Sequence, residues 1–155
     1  MTNQEILSHI DHTILRPDAK WEDIAQICKE ALTYRTASVC IPSYWVKQAK
    51  SAFPALNICT VVGCPLGYQR PEAKALETEL ALHDGAHEID MVINISALKN
   101  GDSTAVLDEI RSLRKLCQSA VLKVIIETCL LTEQEKQLMG RAFSRVVTHL
   151  SGLGD

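Results

Sequence analysis

The feature that most constrains this chain is an alternation: short apolar runs that read as strands are separated by segments with helical periodicity. The runs are HIDHTIL (9–15), TASVCI (36–41), NICTVV (57–62), EIDMVINI (88–95) and VLKVIIET (121–128). Between them, Trp21 to Tyr34 places Ile24, Ile27, Cys28, Ala31 and Leu32 at helical spacing, and Ser103 to Cys117 does the same with Val106, Leu107, Ile110, Leu113 and Leu116. Helices are also predicted over 43–53 and 70–83, the second opened by Pro71 and ended by Gly85. Thr132 and Glu135 have the spacing of a capping box, which predicts a last helix with an apolar stripe through Leu138, Met139, Ala142, Phe143, Val146, Val147 and Leu150, ended by Gly152. Strands alternating with helices of about 10 to 15 residues predict an α/β chain of parallel βαβ units with right-handed crossovers.

With 155 residues, 46% of them hydrophobic, the chain reads as a single domain over 1–155 that can bury a core. The net charge is −3 and there is no dense Lys/Arg run, so neither nucleic acid nor an anionic membrane is expected as a partner. The start, MTNQEILSHIDHT, lacks the pattern of a leader, and no run approaches the roughly 20 apolar residues of a membrane span. The six cysteines form no CxxC pair, and the interval from Cys59 to Cys64 is not a zinc-ligand spacing. They read as free thiols of a reduced, cytoplasmic protein. His83 and His87 are four apart, but Gly85 between them should move them off a shared face, so no metal is expected.

The residues that stand out chemically lie in the strands. In VLKVIIET the alternation of a strand puts Lys123, Ile125 and Glu127 on one face. An ammonium removed from water either finds a partner or loses its proton, and a lysine of lowered pKa is the nucleophile of Schiff-base catalysis. The residues alone also allow a strand-end lysine whose long stem reaches solvent. Glu127 reads as a group that orients or neutralises Lys123. In EIDMVINI, Glu88, Asp90 and Asn94 share a face with Val92, a surface that a fully buried strand would fill with aliphatics. Asn94 reads either as a substrate contact or as a hydrogen-bonding residue within the fold. No GxGxxG or P-loop is present, so no dinucleotide or nucleoside triphosphate is expected. Polar groups within or at the ends of successive parallel strands are where a (β/α) barrel builds its site.

The segments DHTIL, ASVCIP, CTVVGCPLG, EIDMVINISALKNGD and LKVIIETCLLT, in this order and at these intervals, resemble the deoxyribose-phosphate aldolase family from about Asp11 to Glu135. The resemblance implies a TIM-barrel fold and class I aldol chemistry, which uses neither metal nor cofactor. The implied reaction is the reversible cleavage of a small phosphorylated sugar, 2-deoxy-D-ribose 5-phosphate, into glyceraldehyde 3-phosphate and acetaldehyde. It also implies that Lys123 is the Schiff-base lysine, that Asp90 relays protons with water and a second lysine, and that Asp11 supports the relay. Cys40 is implied to lie close to substrate, reactive toward aldehydes without being required.

The sequence also departs from that family. The family continues into a strand with a KTSTG-like motif, whose lysine lowers the pKa of the Schiff-base lysine, and this chain contains no such motif. Residues 139–155 read as a tail that diverges from the family. A complete barrel typically takes about 200 residues or more, so only about five βα units are expected, with two open edges and an exposed inner face. A truncated or frameshifted product, a splice form, or a fragment completed as a homo-oligomer would each fit. Without the second cation Lys123 should keep a high pKa and stay mostly protonated, so low or absent aldolase activity is expected. The alternative is an aldolase-like fragment that acts through association with another chain.

Overall fold

A computed structural model describes residues 2–148, with side chains through Arg141. Each apolar run forms a strand and each amphipathic segment a helix. The order is α1 (Asn3–Leu7), β1 (Asp11–Thr13), α2 (Trp21–Tyr34), β2 (Ser38–Ile41), α3 (Val46–Ala52), β3 (Ile58–Val62), α4 (Pro71–His83), β4 (Glu88–Val92), α5 (Ile95–Lys99), α6 (Ser103–Cys117), β5 (Val121–Ile125) and α7 (Glu133–Thr148). Single 3₁₀ turns at Ser43–Trp45 and Thr128–Leu130 complete the described elements.

The five strands form one sheet in the order β1-β2-β3-β4-β5, every pair parallel. A doubly wound sheet reverses its strand order at a switch point, whereas a barrel adds each strand beside the last, so this order is that of a barrel. Side-chain contacts show the curl directly. Lys123 on β5 donates to Asp11 on β1 at 2.5 Å, although four strand spacings of roughly 4.8 Å would put these edges about 19 Å apart in a flat sheet. The sheet is therefore an arc of a (β/α) barrel, with both edges brought toward its axis.

The two faces of the arc differ as the period of two demands. Val39, Ile41, Ile58, Val62, Ile89 and Met91 point outward and are buried, where Ile24, Ile27, Cys28 and Ala31 of α2 and Val106, Ile110 and Leu113 of α6 complete a continuous core. The inner face carries Asp11, Ser38, Cys40, Cys59, Glu88, Asp90 and Lys123, aligned through the register pairs Asp11 with Ser38, Cys40 with Cys59, Cys59 with Glu88, and Asp90 with Lys123.

Helix α4 departs from the simple amphipathic pattern. It buries Lys74, Thr78 and Ala81 and leaves Leu76 and Leu80 exposed. Lys74 is fully buried, donates to the Val92 carbonyl at 2.8 Å and pairs with Glu109 of α6 at 2.9 Å. Neither Glu109 carboxylate oxygen accepts an aligned hydrogen bond, so proximity of charge holds that contact. The loop after β3 passes against Lys74 at Gly63, where a Cβ would stand 2.8 Å from the Lys74 Cε. A Cβ on Gly67, at φ +70°, would stand 2.0 Å from the Ile93 carbonyl oxygen, which leaves room there for glycine alone.

Three strands end before their apolar runs do. The first strand is confined to Asp11–Thr13 because Arg16 and Pro17 turn the chain toward α2. The fourth ends at Val92, and Asn94 then caps the short helix α5, its Oδ1 accepting from the Ala97 amide at 3.0 Å. The fifth ends at Ile125, before the left-handed Glu127 at φ 51°. The capping box at the start of α7 is present: the Thr132 amide donates to Glu135 at 2.7 Å and the Glu135 amide to the Thr132 hydroxyl at 3.3 Å. Of the tail over 139–155, α7 continues through Thr148, while His149, Leu150 and the expected stop at Gly152 lie outside the described residues.

Candidate active site

The inner face concentrates charge around one amine. Strand β5 projects Lys123 toward the barrel axis, where its Nζ lies 2.5 Å from Asp11 Oδ2, 3.1 Å from Glu88 Oε2 and 3.1 Å from Asp90 Oδ1. It also donates to the Cys59 sulfur at 3.6 Å. Three carboxylates thus face one ammonium in a partly desolvated pocket, with the Lys123, Glu88 and Asp90 side chains 35%, 12% and 17% exposed. Each carboxylate is fixed from behind or beside. The Ser38 hydroxyl donates to Asp11 Oδ1 at 2.7 Å, the Asn57 amide donates to Glu88 Oε1, and Asp90 sits mid-strand between Val61 and Lys123. Asp90 Oδ1 is buried and touches Lys123 without an aligned hydrogen bond.

The electrostatic outcome follows from this count. Burial works to lower the Lys123 pKa, but the hydrogen bond to Asp11 and the close carboxylates of Asp90 and Glu88 more than reverse it, so the amine is held well above the ordinary lysine range. Burial would raise the Asp11 pKa, and the Lys123 and Ser38 hydrogen bonds win, holding its carboxyl below the usual range. Hydrogen bonding with Cys40, followed by burial, pushes the Cys59 thiol far up, so it stays protonated. The resting site is an ammonium held by carboxylates.

Of the residues singled out from sequence, Lys123, Asp90, Asp11 and Cys40 come together. The Cys40 and Cys59 sulfurs and a carboxylate oxygen of Asp90 lie within 4.8 Å of one another. Asn94 and Glu127 do not join them. Asn94 spends its side-chain oxygen capping α5 and borders a separate polar cleft of about 580 Å³ with Tyr68, Lys99 and Asp102. Glu127 lies beyond the end of β5, where its Oε1 accepts from the Cys129 thiol at 3.0 Å. The expectation that Glu127 orients Lys123 is corrected: among the described residues that work is done by Asp11, Glu88 and Asp90. Glu88 and Cys59 carried no assigned role in the sequence reading. Glu88 was visible as a polar group on the Asp90 face, whereas Cys59 reads like any small core residue until strand register places it beside Cys40.

The sequence matches the family model described as DeoC/LacD family aldolase over residues 6–154. The chain belongs to the DeoC/LacD aldolase family. The match reaches into the tail over 139–155. Among curated relatives, the deoxyribose-phosphate aldolase of Clostridium botulinum (strain Eklund 17B / Type B) is 53% identical over 143 residues, which cover 92% of this chain and 65% of the relative. That of Shouchella clausii is 50% identical over 137 residues, 86% of this chain and 61% of the relative. The chain therefore spans somewhat less than two thirds of the length of these relatives. Among solved structures, it resembles the tetrameric deoxyribose phosphate aldolase of Aeropyrum pernix with a TM-score of 0.85 at 28% identity, covering 94% of this chain and 62% of that one. A deoxyribose-phosphate aldolase structure from Coccidioides immitis superposes with a TM-score of 0.84 at 34% identity, covering 87% of this chain and 54% of that one. Within this DeoC/LacD chain, the arc of strands carries the Lys123 cluster on the inner face.

Proposed function

We propose that this chain is built for the reversible aldol cleavage of 2-deoxy-D-ribose 5-phosphate through an imine on Lys123, with Asp90 as proton relay and Asp11 as its support. The observation that carries the proposal is the meeting of the Lys123 amine with Asp90 and Asp11 on the barrel's inner face. Family membership and the printed names of the relatives support the substrate.

The chemistry asks for an amine, a proton relay and an electron sink. Once Lys123 has given its proton to a neighbouring carboxylate, its lone pair attacks the aldehyde carbon of the open-chain sugar. The resulting carbinolamine loses water as Asp90 delivers a proton to the departing oxygen. The iminium then accepts the electron pair of the C2–C3 bond while a proton leaves the C3 hydroxyl, which releases glyceraldehyde 3-phosphate. Protonation of the enamine carbon and hydrolysis release acetaldehyde and return the amine. Asp11, held by Ser38, keeps the amine aimed along the strand face. Cys40 lies within reach of the same space and is given no proton to move.

The first step is also the limiting one. The carboxylates that position Lys123 keep it an ammonium, so turnover at neutral pH should be slow and should rise with pH. A retro-aldol assay tests this. Weak turnover is expected to vanish in Lys123→Met and to fall by about a hundredfold or more in Asp90→Asn, and turnover unchanged in Lys123→Met would overturn the reading.

A second reading, an aldolase-like fragment acting through association, is favoured by the surplus of carboxylates and by the outer edges of β1 and β5, which are unpaired among the described residues. Turnover absent at every pH but restored when chains associate would favour it. The tetrameric Aeropyrum pernix relative supports a homo-oligomer as that assembly. Among the described residues no helix is long and apolar enough to cross a membrane, and cysteines without disulfides fit the cytoplasm.

A further inference from the structure

Beside Lys123 the inner face holds a second constellation that imine chemistry leaves largely unused. Cys40 and Cys59 are register partners on adjacent strands, and both are essentially closed to solvent, at 2% and 0% exposure. Asp90 stands on the next strand. One ligand atom from each of the three lies within 4.8 Å of the other two. Two sulfurs and one carboxylate oxygen make the donor set of a soft, tetrahedral divalent ion, with water free to supply a fourth ligand. Sulfur donors disfavour magnesium and calcium, which take all-oxygen shells.

Two further observations point to a cation. Asp90 Oδ1 is buried and meets the Lys123 ammonium at 3.1 Å without an aligned hydrogen bond, so a cation would compete with that ammonium for it. Three carboxylates also face a single ammonium, which leaves the pocket with surplus negative charge. Lys123 repels a cation, yet it does not depend on Asp90. Its shortest contact is with Asp11 at 2.5 Å, and Glu88 lies 3.1 Å away, so two carboxylates can retain the ammonium while Asp90 turns to a metal.

We infer that Cys40, Cys59 and Asp90 form a binding site for a thiophilic divalent cation of the zinc class, competing with Lys123 for Asp90. Binding forms two metal–sulfur bonds and one metal–oxygen bond and releases two thiol protons to solvent, the Cys59 proton against the raised pKa of its thiol. The ion takes no part in the aldol step. It occupies the relay carboxylate, so its chemical effect is inhibition, and the site stands whether or not the chain turns substrate over.

Cadmium(II) alone is the probe, because cadmium thiolates absorb by charge transfer in the ultraviolet. The full chain, treated with chelator and reductant, should take up one ion with that absorption band, and its melting temperature should rise. Cys40→Ser and Cys59→Ser should each weaken binding by at least about tenfold, the loss seen when even an outer-shell partner of a metal is removed. Cys64→Ser with Cys129→Ser, which removes the two exposed thiols, should leave binding unchanged. A band that persists in both buried-cysteine variants, or that disappears with Cys64 and Cys129, overturns the assignment. Should a serine variant fail to fold, the unaltered chain still decides: neither a charge-transfer band nor a rise in melting temperature on adding cadmium also overturns it.

Discussion

Lys74→Met is expected to destabilise the chain by about 3–5 kcal/mol, the cost of breaking a buried ion pair from one side. Lys74 is fully buried, and its ammonium serves two partners at once, the Val92 carbonyl at 2.8 Å and Glu109 at 2.9 Å. Methionine fills much of the same space and restores neither contact. Glu109, itself 3% exposed, would be left as an unpaired charge between α4 and α6. For a domain at the low end of typical stability, about 5 kcal/mol, that loss would put an appreciable fraction of molecules in the unfolded state. Adding Glu109→Leu removes the stranded charge and should recover most of the loss, because apolar replacement of a whole buried pair is often neutral or better. Urea denaturation of the two variants measures both halves. A cost for Lys74→Met below about 1 kcal/mol would contradict the burial of the pair. The site depends on this pair too: Lys74 ties down the end of β4, the strand that carries Glu88 and Asp90.

The second large effect concerns the amine itself. Combining Asp11→Asn with Glu88→Gln should lower the Lys123 pKa by at least about one unit, which multiplies the free amine near neutral pH by about ten or more. The sign follows from which protonation state each carboxylate favours. Both stabilise the ammonium, so neutralising them moves the pKa down. An opposite charge at close range is worth about 1–3 units when buried, and partial exposure of Lys123 and Asp11 reduces that. The double variant should therefore label with acetaldehyde and borohydride at lower pH than the parent chain. An unshifted labelling profile would mean that the carboxylates do not set the protonation of Lys123. Since Asp11 is also proposed to support the relay, complete turnover need not follow the gain in amine.

Much of this fold is legible in the sequence because it depends on local periodicity. The period of two in EIDMVINI separates Ile89 and Met91 from Glu88 and Asp90, and the folded chain buries the first pair on the outer face while turning the second to the inner one. The period of 3.6 in Ser103 to Cys117 likewise marks the core side of α6. Misreadings arise where a local pattern is carried past its end. Glu127 keeps the alternation of VLKVIIET on paper, but the left-handed turn at that residue takes its side chain away from Lys123. Asn94 has a recognisable signal that points elsewhere, since asparagine is a favoured cap and it opens α5.

Other features depend on distance in space and have no local signature. The contact between Lys123 and Asp11, 112 positions apart, exists because the sheet curls. Glu88 becomes a partner of Lys123 only through the register of β4 with β5. Nothing in the sequence of α4 marks Lys74 as buried, because a lysine on a helix is ordinarily solvated and two leucines of the same helix take the exposed positions.

Trapping shows whether Lys123 is the imine-forming residue and is held as an ammonium by its carboxylates. The unaltered chain is incubated with acetaldehyde, reduced with borohydride and mapped by peptide mass spectrometry over a range of pH. One dominant adduct is expected, on Lys123, with a yield that climbs by about tenfold per pH unit above neutrality as the amine is freed. Labelling dispersed over exposed lysines such as Lys47, with Lys123 no more reactive than they are, would contradict it.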